Sequence, residues 1–558
     1  SQSSGYSQAA LGFATAASNS ASQASGYADD ASDSADAAAL SATKAAAIHG
    51  LRPKDYGAVG DGVTDDTTSI QACIDAAYAA GVPVIIDTIY KITDQLDIPN
   101  GSSVLGHHRD TCGFKISRTD FNLLADAVLD LTVVSKYGPR IEDIQITTDM
   151  DTTETVRANL TAFPPLIRAV SCPRFFLKNI RLNRAYIGID ATGNSGGAHI
   201  TDCEIGAYNT GLKMNGALDF MFIDNVEFWP FGIADTASEA IYNDGDTIAI
   251  DAIDVDGLSI GNLSTFRGKT NLDGCFGTIG MLNLDGKYSQ LNIKTTNRKS
   301  ELAVGTLYKT TDANDDWGLY ISGTYASTTV IGNAWMKNLI NISAATETSN
   351  ALIGINQANS TLNISNIKFD IIGANTRALY VNQGNVVASN IYINVDSTQT
   401  RSNAMIRVTG GEANITNVKA STSTTSPVLV QFTTNYRHCL TNVIAPGWTV
   451  SLPSTNTLVT LDNIDTDSII VSNRLVHAVK TYRLTATFNA SGTATLTSPT
   501  SDYTKCVRII AFADYGTTYK VAVDGSDIAI GNAAITVTTG ITAYSGLTCE
   551  MYVDVIID

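Results

Sequence analysis

A short cue that recurs along most of the chain constrains the fold more than any other feature of the sequence. The cue is an Asn or Asp followed by an apolar residue. It occurs at Asp143, Asn179, Asp202, Asn225, Asn262, Asn338, Asn366, Asn390, Asn417, Asn442 and Asn463. The two steps after position 179 are 23 residues each, and those after position 366 are 24, 27, 25 and 21. This period, with short strands and no long helix, predicts a β-solenoid, since propeller blades need about 40 residues or more.

The repeat is interrupted at two places. The step from 225 to 262 is 37 residues, and the step from 262 to 338 is 76 residues. The first predicts a loop of about 14 extra residues after position 229, rich in Asp and Glu. The second predicts skipped weak rungs or inserted loops.

The segment before the repeat has a pattern of its own. Residues 55–67 read DYGAVGDGVTDDT, a helical pattern follows over 67–80, and Gly81 ends it. Short strands are predicted at Val84–Ile86, Tyr90–Ile92 and Ser103–Leu105, with a Pro-Asn-Gly turn between the last two.

This opening resembles that of the pectate-lyase-like right-handed parallel β-helix superfamily, and many bacteriophage tailspikes and capsule depolymerases share it. In that family the segment caps the N-terminal end of the β-helix and is structural rather than catalytic. The resemblance covers residues 52–106 and implies a tailspike attached to the phage tail or baseplate through its N-terminus. It also implies a location on the virion tail, acting at the bacterial surface after assembly in the host cytoplasm.

The fold class expected from these features is all-β, a right-handed parallel β-helix with a region of different character at each end. Residues 1–48 are rich in Ala and Ser, which predicts either a flexible linker or a thin helical stalk formed by bundled chains. Residues 49–140 form the cap region and residues 141–477 the β-helix with its inserted loops. Residues 478–558 alternate like an antiparallel β-sandwich for trimerisation or carbohydrate binding.

The composition of the chain narrows the classes of partner that it is expected to bind. The formal net charge of −18 disfavours nucleic acid and anionic membrane surfaces, but it leaves open an anionic glycan at a locally basic site. The eight cysteines are scattered without a CxxC pair, which predicts buried free thiols. No stretch of 18 apolar residues occurs, so no membrane insertion is expected. No motif calls for a cofactor or a metal.

Superposing three successive cues predicts a candidate catalytic site. The alignment points Ile180/Leu182, Cys203/Ile205 and Val226/Phe228 inward, and it stacks three outward residues in one column, Arg181, Glu204 and Glu227. Two carboxyl groups on neighbouring rungs are what cleavage of a glycosidic bond requires, one as proton donor and one as nucleophile or base. For a single residue, a solvated surface charge is the commoner explanation.

Further candidates surround this column. Asp202, Asp224 and the loop residue Asp246 are additional acids, with Asp224 sharing a face with Glu227 only if it lies in a turn. Four aromatic residues are candidates for stacking on sugars. They are Trp229, Tyr208, Tyr242 and Trp317. Arg181 is a further substrate-binding candidate, and Trp229 could equally be a trimer contact.

The function predicted from the sequence is binding and endo-glycosidic hydrolysis of a bacterial surface polysaccharide, either capsule or O-antigen. A polysaccharide lyase is an alternative, with His199, Arg181 or Tyr208 near the site to supply a base. A binding-only adhesin is another. A homotrimer is expected because long β-helices present flat faces and a thin Ala/Ser stalk cannot be stable alone.

Overall fold

The structure is a computed structural model. It describes residue 34 and residues 50–131, 137–193, 196–286, 288–311, 318–338, 351–371, 376–395, 403–421, 427–433, 436–452, 459–471, 478–487, 493–497, 506–514, 520–522, 528–530, 534–538 and 548–557. The predicted stalk over 1–48 and the candidate Trp317 therefore lie outside the described part. No described helix is long and apolar enough to cross a membrane.

From residue 50 onward the described fold opens with a 3-10 helix, followed by the α-helix α1 (Thr67–Ala80) and a series of short strands. The 3-10 helices are Pro53–Tyr56, Arg157–Asn159 and Ala237–Asn243. The first ten strands are β1 Val84–Ile86, β2 Ile89–Lys91, β3 Leu96–Asp97, β4 Ser103–Gly106, β5 Gly113–Ile116, β6 Leu129–Asp130, β7 Arg140–Glu142, β8 Gln145–Thr148, β9 Ile167–Arg168 and β10 Phe176–Lys178.

Longer strands follow as the coils become regular. They are β11 Arg181–Thr192, β12 Ala198–Thr201, β13 Glu204–Asn215, β14 Phe220–Asp224, β15 Val226–Phe228, β16 Ile248–Ile253, β17 Gly257–Phe266, β18 Lys269–Asp273, β19 Phe276–Asp285 and β20 Gln290–Thr295. The next are β21 Ser300–Thr311, β22 Leu319–Gly323, β23 Ser327–Asn338, β24 Ala351–Ile371, β25 Arg377–Val395, β26 Ile406–Val408, β27 Ala413–Ala420, β28 Val428–Phe432, β29 His438–Leu452 and β30 Val459–Val471.

Strands β1–β30 form a parallel β-helix, because each pairs in parallel with the strand one turn of the coil further along the chain. One face runs β8, β11, β13, β15, β17 and onward in register. Its inward side chains form the core: Ile180, Cys203 and Val226 are buried, and so are Leu182, Ile205 and Phe228. The predicted fold class is confirmed for this part of the chain, as is the inward set of residues.

The cue marks a tight turn between two strands of each coil. Asp143, Asn179, Asp202 and Asn225 all have positive φ angles between 50° and 59°, the left-handed region that Asn and Asp tolerate. Their side chains then bond along the axis, as from Asn179 Nδ2 to Asp143 Oδ1 at 2.7 Å. The period of the cue is therefore the spacing between residues that adopt the left-handed backbone conformation at the same place in successive coils.

One cue position was assigned to the wrong residue. Asn338 is the last residue of β23 and pairs with Ile371, whereas the equivalent position of that coil is Asn333, which accepts a hydrogen bond from Asn366 Nδ2. Asn262 is at the cue position of its coil, paired with Met281, but it lacks the positive φ angle of the left-handed turn. Between them the coils carry Met281 and Thr306 at the turn position, so the long interval in the cue does contain weak rungs, as predicted.

In those weak rungs a column of glycines lies directly before the cue position. Gly261, Gly280, Gly305 and Gly332 occupy equivalent positions on successive coils. A Cβ on Gly305 would lie 2.6 Å from the carbonyl oxygen of Gly280, which no side chain tolerates. The backbones approach too closely here for any residue but glycine.

The cap segment folds as its sequence predicts. Helix α1 covers the predicted residues, and Asp66 just before it is buried. The Asp66 carboxylate does not cap the helix; it accepts hydrogen bonds from the backbone N–H groups of Val59 and Gly60 at 2.6 and 3.0 Å. Asp66 therefore stabilises the glycine-rich loop that precedes α1 and does not cap the helix.

The C-terminal strands pair differently from the rest. They are β31 Ala478–Thr487, β32 Thr493–Thr497, β33 Cys506–Asp514, β34 Lys520–Ala522, β35 Ile528–Ile530, β36 Ala534–Thr538 and β37 Thr548–Ile557. They form two antiparallel sheets, of four and three strands. The change from parallel to antiparallel pairing after β30 agrees with the change in sequence pattern near residue 478.

The cysteines of the described β-helix are free, as predicted. Five are buried and Cys439 is partly exposed. Burial raises the pKa of the Cys203 thiol to about 12, so this thiol is an inert part of the core.

Candidate functional site

The predicted outward column exists and is longer than the three residues from which it was inferred. Arg181 is paired with Glu204, and Glu204 with Glu227, on adjacent strands. Adjacent strands lie about 4.8 Å apart, so the two glutamates are neighbours along the helix axis. Alternation along each strand directs them away from the buried residues on either side.

The two glutamates line one open pocket beside the asparagine turn, with a volume of about 510 Å³. Its lining residues are Arg109, Asp143, Lys178, Asn179, Asp202, Cys203, Glu204, Asn225 and Glu227. The pocket lies where the strands holding Lys178 and those holding the glutamates meet at the left-handed turns. The turn geometry thus forms a concave surface and places charged side chains along it.

Glu204 is held by two arginines. Arg109 Nη2 donates to Glu204 Oε1, and Arg181 Nε donates to Glu204 Oε2 at 2.6 Å. The Glu204 side chain is only 15% exposed. The bond to Glu204, more than any other interaction, raises the pKa of the Arg181 guanidinium. Two guanidinium groups fix the orientation of the Glu204 carboxyl group through charge-assisted hydrogen bonds.

Glu227 has the opposite environment. Its side chain is exposed, and no hydrogen bond or ion pair involves its carboxyl group within the part of the chain that the structure describes. Phe228 and Val226 on either side are buried, which fixes the backbone beneath it. The two glutamates of the column are therefore chemically distinct, one fixed by cations and one open to solvent.

Arg109 was missed by the sequence analysis. It comes from the segment between β4 and β5, and it also reaches the backbone carbonyl of Asp202 at 3.4 Å. Its neighbour Asp110 accepts a hydrogen bond from Arg181, so the segment contributes both signs of charge to the column. The signal for Arg109 was its position on the coils. Its segment directly precedes Gly113, Gly113 pairs with Gln145 on the next coil, and Gln145 pairs with Arg181.

Lys178 was also missed. It is half-buried on β10, it lines the pocket, and no ion pair involves its ammonium group among the described residues. Lys178 and Arg109 are the two cations of a lining that also carries four acids, and Arg109 is already paired with Glu204. Lys178 is therefore the cation of the pocket that could contact an anionic group of a substrate.

The other predicted acids have separate environments. Asp202 lines the pocket at a turn and accepts a hydrogen bond from Asn225 Nδ2 at 2.7 Å. Asp224 is the last residue of β14, directly before the turn, and its Oδ1 accepts the backbone N–H of Asn262 at 2.8 Å, which ties it to the next coil; it does not line the pocket. Asp246 is exposed in the loop and likewise lies outside the pocket lining.

Two of the aromatic candidates are corrected by the structure. Tyr208 is fully buried and Tyr242 nearly so, and their hydroxyl groups bond to Ser238 and to the carbonyl of Ala207. Burial raises the pKa of both phenols. Neither ring can stack on a sugar, and Tyr208 cannot reach a substrate as a base. Both residues anchor the inserted loop.

The inserted loop itself lies against the β-helix. Its 3-10 helix Ala237–Asn243 carries the buried Ser238 and Tyr242. Arg157 donates to both carboxylate oxygens of Asp244, at 2.8 and 2.9 Å. The predicted extra residues are present, but several of their acids serve to fasten the loop.

Trp229 is half-buried and packs on Phe266, with ring centroids 4.2 Å apart. His199, on β12, stacks on Phe222 at 4.6 Å with the rings 14° from parallel, and Phe176 lies on its other side. Neither Trp229 nor His199 lines the pocket. Both lie on coils adjoining it. No group of three or more potential metal-ligating side chains occurs among the described residues.

Comparison with known proteins adds the following findings. No protein-family model matches the chain. A stretch of 28 residues is 79% identical to the mannuronan C5-epimerases AlgE5 and AlgE2 of Azotobacter vinelandii, which is 5% of this chain and 3% of each epimerase. The chain thus spans a very small part of these curated relatives.

Solved structures similar to this chain are phage tailspikes and β-helix glycoside hydrolases. The tailspike protein gp49 from Pseudomonas phage LKA1 is 12% identical, with a TM-score of 0.39 over 91% of this chain and 100% of that one. The tailspike of Escherichia coli bacteriophage HK620, in complex with a pentasaccharide, is 10% identical, with a TM-score of 0.38 over 91% and 94%. A GH87 α-1,3-glucanase from Streptomyces thermodiastaticus is 14% identical, with a TM-score of 0.33 over 76% and 69%. At these values the strand pairing described above remains the basis for the fold.

Proposed function

We propose that this chain is a phage tailspike that binds a bacterial surface polysaccharide, capsule or O-antigen, and cleaves it by endo-glycosidic hydrolysis. The observation that carries the proposal is the pair Glu204 and Glu227 on adjacent coils in one open pocket. Hydrolysis of a glycosidic bond requires two carboxyl groups in different states, and these two have different surroundings.

We assign the roles from the contacts of the two carboxyl groups. Glu227, whose carboxyl group is free to meet the leaving group, donates a proton to the glycosidic oxygen as the bond from that oxygen to the anomeric carbon breaks. Glu204, held by Arg109 and Arg181, attacks the anomeric carbon and forms a glycosyl ester. Water then attacks the same carbon, Glu227 takes up the proton of that water, and the Glu204 carboxylate is released.

The spacing favours retention of configuration. Retaining enzymes have their two carboxyl groups about 5–5.5 Å apart, and adjacent strands are separated by about 4.8 Å. An inverting reaction needs about 6.5–9.5 Å for an intervening water. It would require a partner other than Glu204, of which Asp202 lines the same pocket and Asp224 and Asp246 do not.

A lyase is the second candidate, and Lys178 is the observation that favours it. In a lyase a base removes the proton next to a uronate carboxyl group, while cations neutralise that group. The Lys178 ammonium and the Arg109 guanidinium line the same pocket.

The product distinguishes the two reactions. Polysaccharides purified from candidate host bacteria are incubated with the protein, and the new chain ends are identified. Hydrolysis yields reducing ends without new ultraviolet absorbance, whereas a lyase yields an absorbing unsaturated uronate. Glu227→Gln abolishes hydrolysis, and Lys178→Met would abolish lyase activity while leaving hydrolysis measurable. Binding without any new chain end would identify the protein as an adhesin.

A further inference from the structure

The column that holds the two glutamates continues along the same face of the β-helix for eight more coils. After Glu227 its successive members are Ser264, Asn283, Tyr308, Trp335, Lys368, Tyr392, Lys419 and Ile444. Every step is a direct strand pairing, so these residues lie on one line parallel to the helix axis. At about 4.8 Å per coil, Trp335 is roughly 19 Å and Lys419 roughly 34 Å from Glu227.

We propose that the segment of this column from Tyr308 to Lys419 is an extended binding track for an acidic polysaccharide chain whose scissile bond lies at the glutamates. We define this binding track as Tyr308, Trp335, Lys368, Tyr392 and Lys419. The proposal rests on the proposed function for the position of the cleaved bond. The track itself can bind whether or not cleavage occurs.

Exposure and chemistry distinguish the track from an ordinary strand face. Trp335 is 42% exposed and Tyr392 37%, although large aromatic residues usually bury most of their surface. Aromatic rings at accessible positions bind the apolar faces of sugars, and their polar atoms remain available for hydroxyl groups. Two such rings flank Lys368 on the same line, so the surface alternates between stacking groups and a cation.

The aromatic part of the track is already fixed in place. Trp335 Nε1 donates to Asp370 Oδ2 at 2.7 Å, and the Lys368 ammonium lies 4.6 Å from the Trp335 ring centroid and 2.9 Å from the same oxygen. Tyr308 packs against the edge of Trp335 at 5.2 Å. A ring held in one orientation loses little conformational entropy when a ligand binds.

The charge of the track selects an anionic occupant. The chain has a formal net charge of −18, yet between Tyr308 and Lys419 this column contains two lysines and no acid. Lys368 is paired with Asp370 beside the column, so Lys419 is the cation that remains available to a ligand. Lys419 is exposed, and no ion pair involves it within the described residues. A lysine beside accessible aromatic rings matches a glycan that carries carboxylate groups.

The experiment measures binding separately from cleavage. Binding of long, purified acidic surface polysaccharide, and of short fragments of it, is measured for the Glu227→Gln protein and for the same protein with Trp335→Ala or Tyr392→Ala. We expect each aromatic change to weaken binding of the long polymer about three- to tenfold and to leave the short fragments unaffected. Val330→Ala and Val387→Ala are matched controls, since these residues are 44% and 43% exposed on the same two strands but lie across the turn.

Charge is tested with a modified probe. Lys419→Gln should weaken binding of the acidic polymer, and this loss should disappear when the uronate carboxyl groups of the polymer are reduced to alcohols. Unchanged binding of the long polymer by both aromatic variants would overturn the track. So would a change in oligomeric mass with either variant, which would assign the surface to a contact between copies.

The two proposals fail in different ways. Cleavage of the polymer by wild-type protein, with binding that is indifferent to Trp335 and Tyr392, would leave the proposed function standing and remove the track. Binding that depends on these residues without any new chain ends would do the reverse. If no surface polysaccharide binds, both are wrong.

Discussion

The two glutamates of the pocket have the same side chain but different surroundings. Glu204 accepts from two guanidinium groups, and Glu227 faces solvent from the next coil. The column could be found from the sequence because alternation and the 23-residue step specify which residues stack. The surroundings could not, since Arg109 is 95 residues away in the chain from Glu204.

Removing a cation from Glu204 should reduce catalysis more than binding. Arg181→Met leaves the carboxylate with Arg109 alone, so it is less well oriented and the nucleophile is weaker. We expect kcat to fall on the order of tenfold to a hundredfold with a smaller change in KM. Steady-state rates on the cleaved polysaccharide check this, with Arg407→Met on a distant coil as the control. If Arg181→Met and Arg407→Met change kcat equally, Arg181 has no specific role in the reaction.

Burial was the residue-scale property that the sequence analysis estimated worst. Tyr208 and Tyr242 were assigned to the surface because they are aromatic and near the candidate acids. In the structure both support the inserted loop from below. The loop residues that cover them follow no repeat, so alternation along a strand gives no indication of which tyrosine is covered.

At the scale of elements, the left-handed asparagine turn is the unit from which the coils are built. In the later coils Asn390, Asn417, Asn442 and Asn463 each donate to the asparagine one coil earlier, at 2.9–3.0 Å. This element was the best predicted from the sequence, because each coil needs a residue that tolerates positive φ at the same place. The weak rungs around Gly305 were not predicted individually, because they lack the asparagine cue and their backbones approach each other at glycine instead.

Asn417 tests the turn, because it donates to Asn390 and accepts from Asn442. Asn417→Ala removes both bonds and leaves in the left-handed region a side chain that cannot hydrogen-bond to the local backbone, where an L-residue other than Asn, Asp or Gly costs about 1–2 kcal/mol. We expect a loss of about 2–3 kcal/mol in the free energy of unfolding, with about 1 kcal/mol from the exposed bonds. Chemical denaturation measures it.

Asn417→Gly separates the two contributions. Glycine adopts the turn without strain but cannot bond along the axis, so it should lose less stability than alanine. Asn414→Ala, exposed on the same strand, is the control and should be nearly neutral. A larger loss for glycine than for alanine would contradict the account of the turn.

The inserted loop should respond to pH through Asp244. Burial, the largest single effect, would raise the pKa of its carboxyl group. The hydrogen bonds from Arg157 and from the backbone N–H of Asp246, together with the charges of Arg157 and Lys269, outweigh burial and lower the pKa below the ordinary value of 3.8. A carboxyl group with a lowered pKa in the folded state contributes stability above its unfolded pKa, and that contribution is lost as the pH falls through the folded value.

The measurement is the thermal stability of wild type and Asp244→Asn from neutral pH downward. The wild type should be the more stable at neutral pH, and the difference should shrink as the pH falls below about 4. Asp246→Asn is the matched control in the same loop, because its carboxylate is exposed and does not contact Arg157. A difference that is constant with pH would show that Asp244 does not hold the loop by its charge.

At the scale of the whole molecule, one face of a long parallel β-helix carries both the candidate catalytic pair and the binding track. The parallel coil could be predicted because the turn and the cap segment each indicate it independently. The regions outside 50–471 were predicted from composition and alternation alone, and the predicted trimer remains a prediction.

The trimer prediction concerns mass in solution. Three copies of the 59.0 kDa chain are expected, because flat exposed coils and a thin Ala/Ser segment gain stability by association. Sedimentation equilibrium over a range of concentrations measures the mass directly. A single-chain mass at all concentrations would refute the prediction.

We infer that this β-helix cleaves a surface polysaccharide with Glu204 and Glu227. The decisive measurement is the release of new reducing ends by the wild type and by variants of these two residues. Wild type, Glu204→Gln and Glu227→Gln are compared on one purified polysaccharide, with Glu412→Gln as a control at an exposed glutamate elsewhere on the β-helix. We expect full release of reducing ends by wild type and by Glu412→Gln, and a rate of release at least about a hundredfold lower for Glu204→Gln and for Glu227→Gln. Full activity in both Glu204→Gln and Glu227→Gln would contradict it.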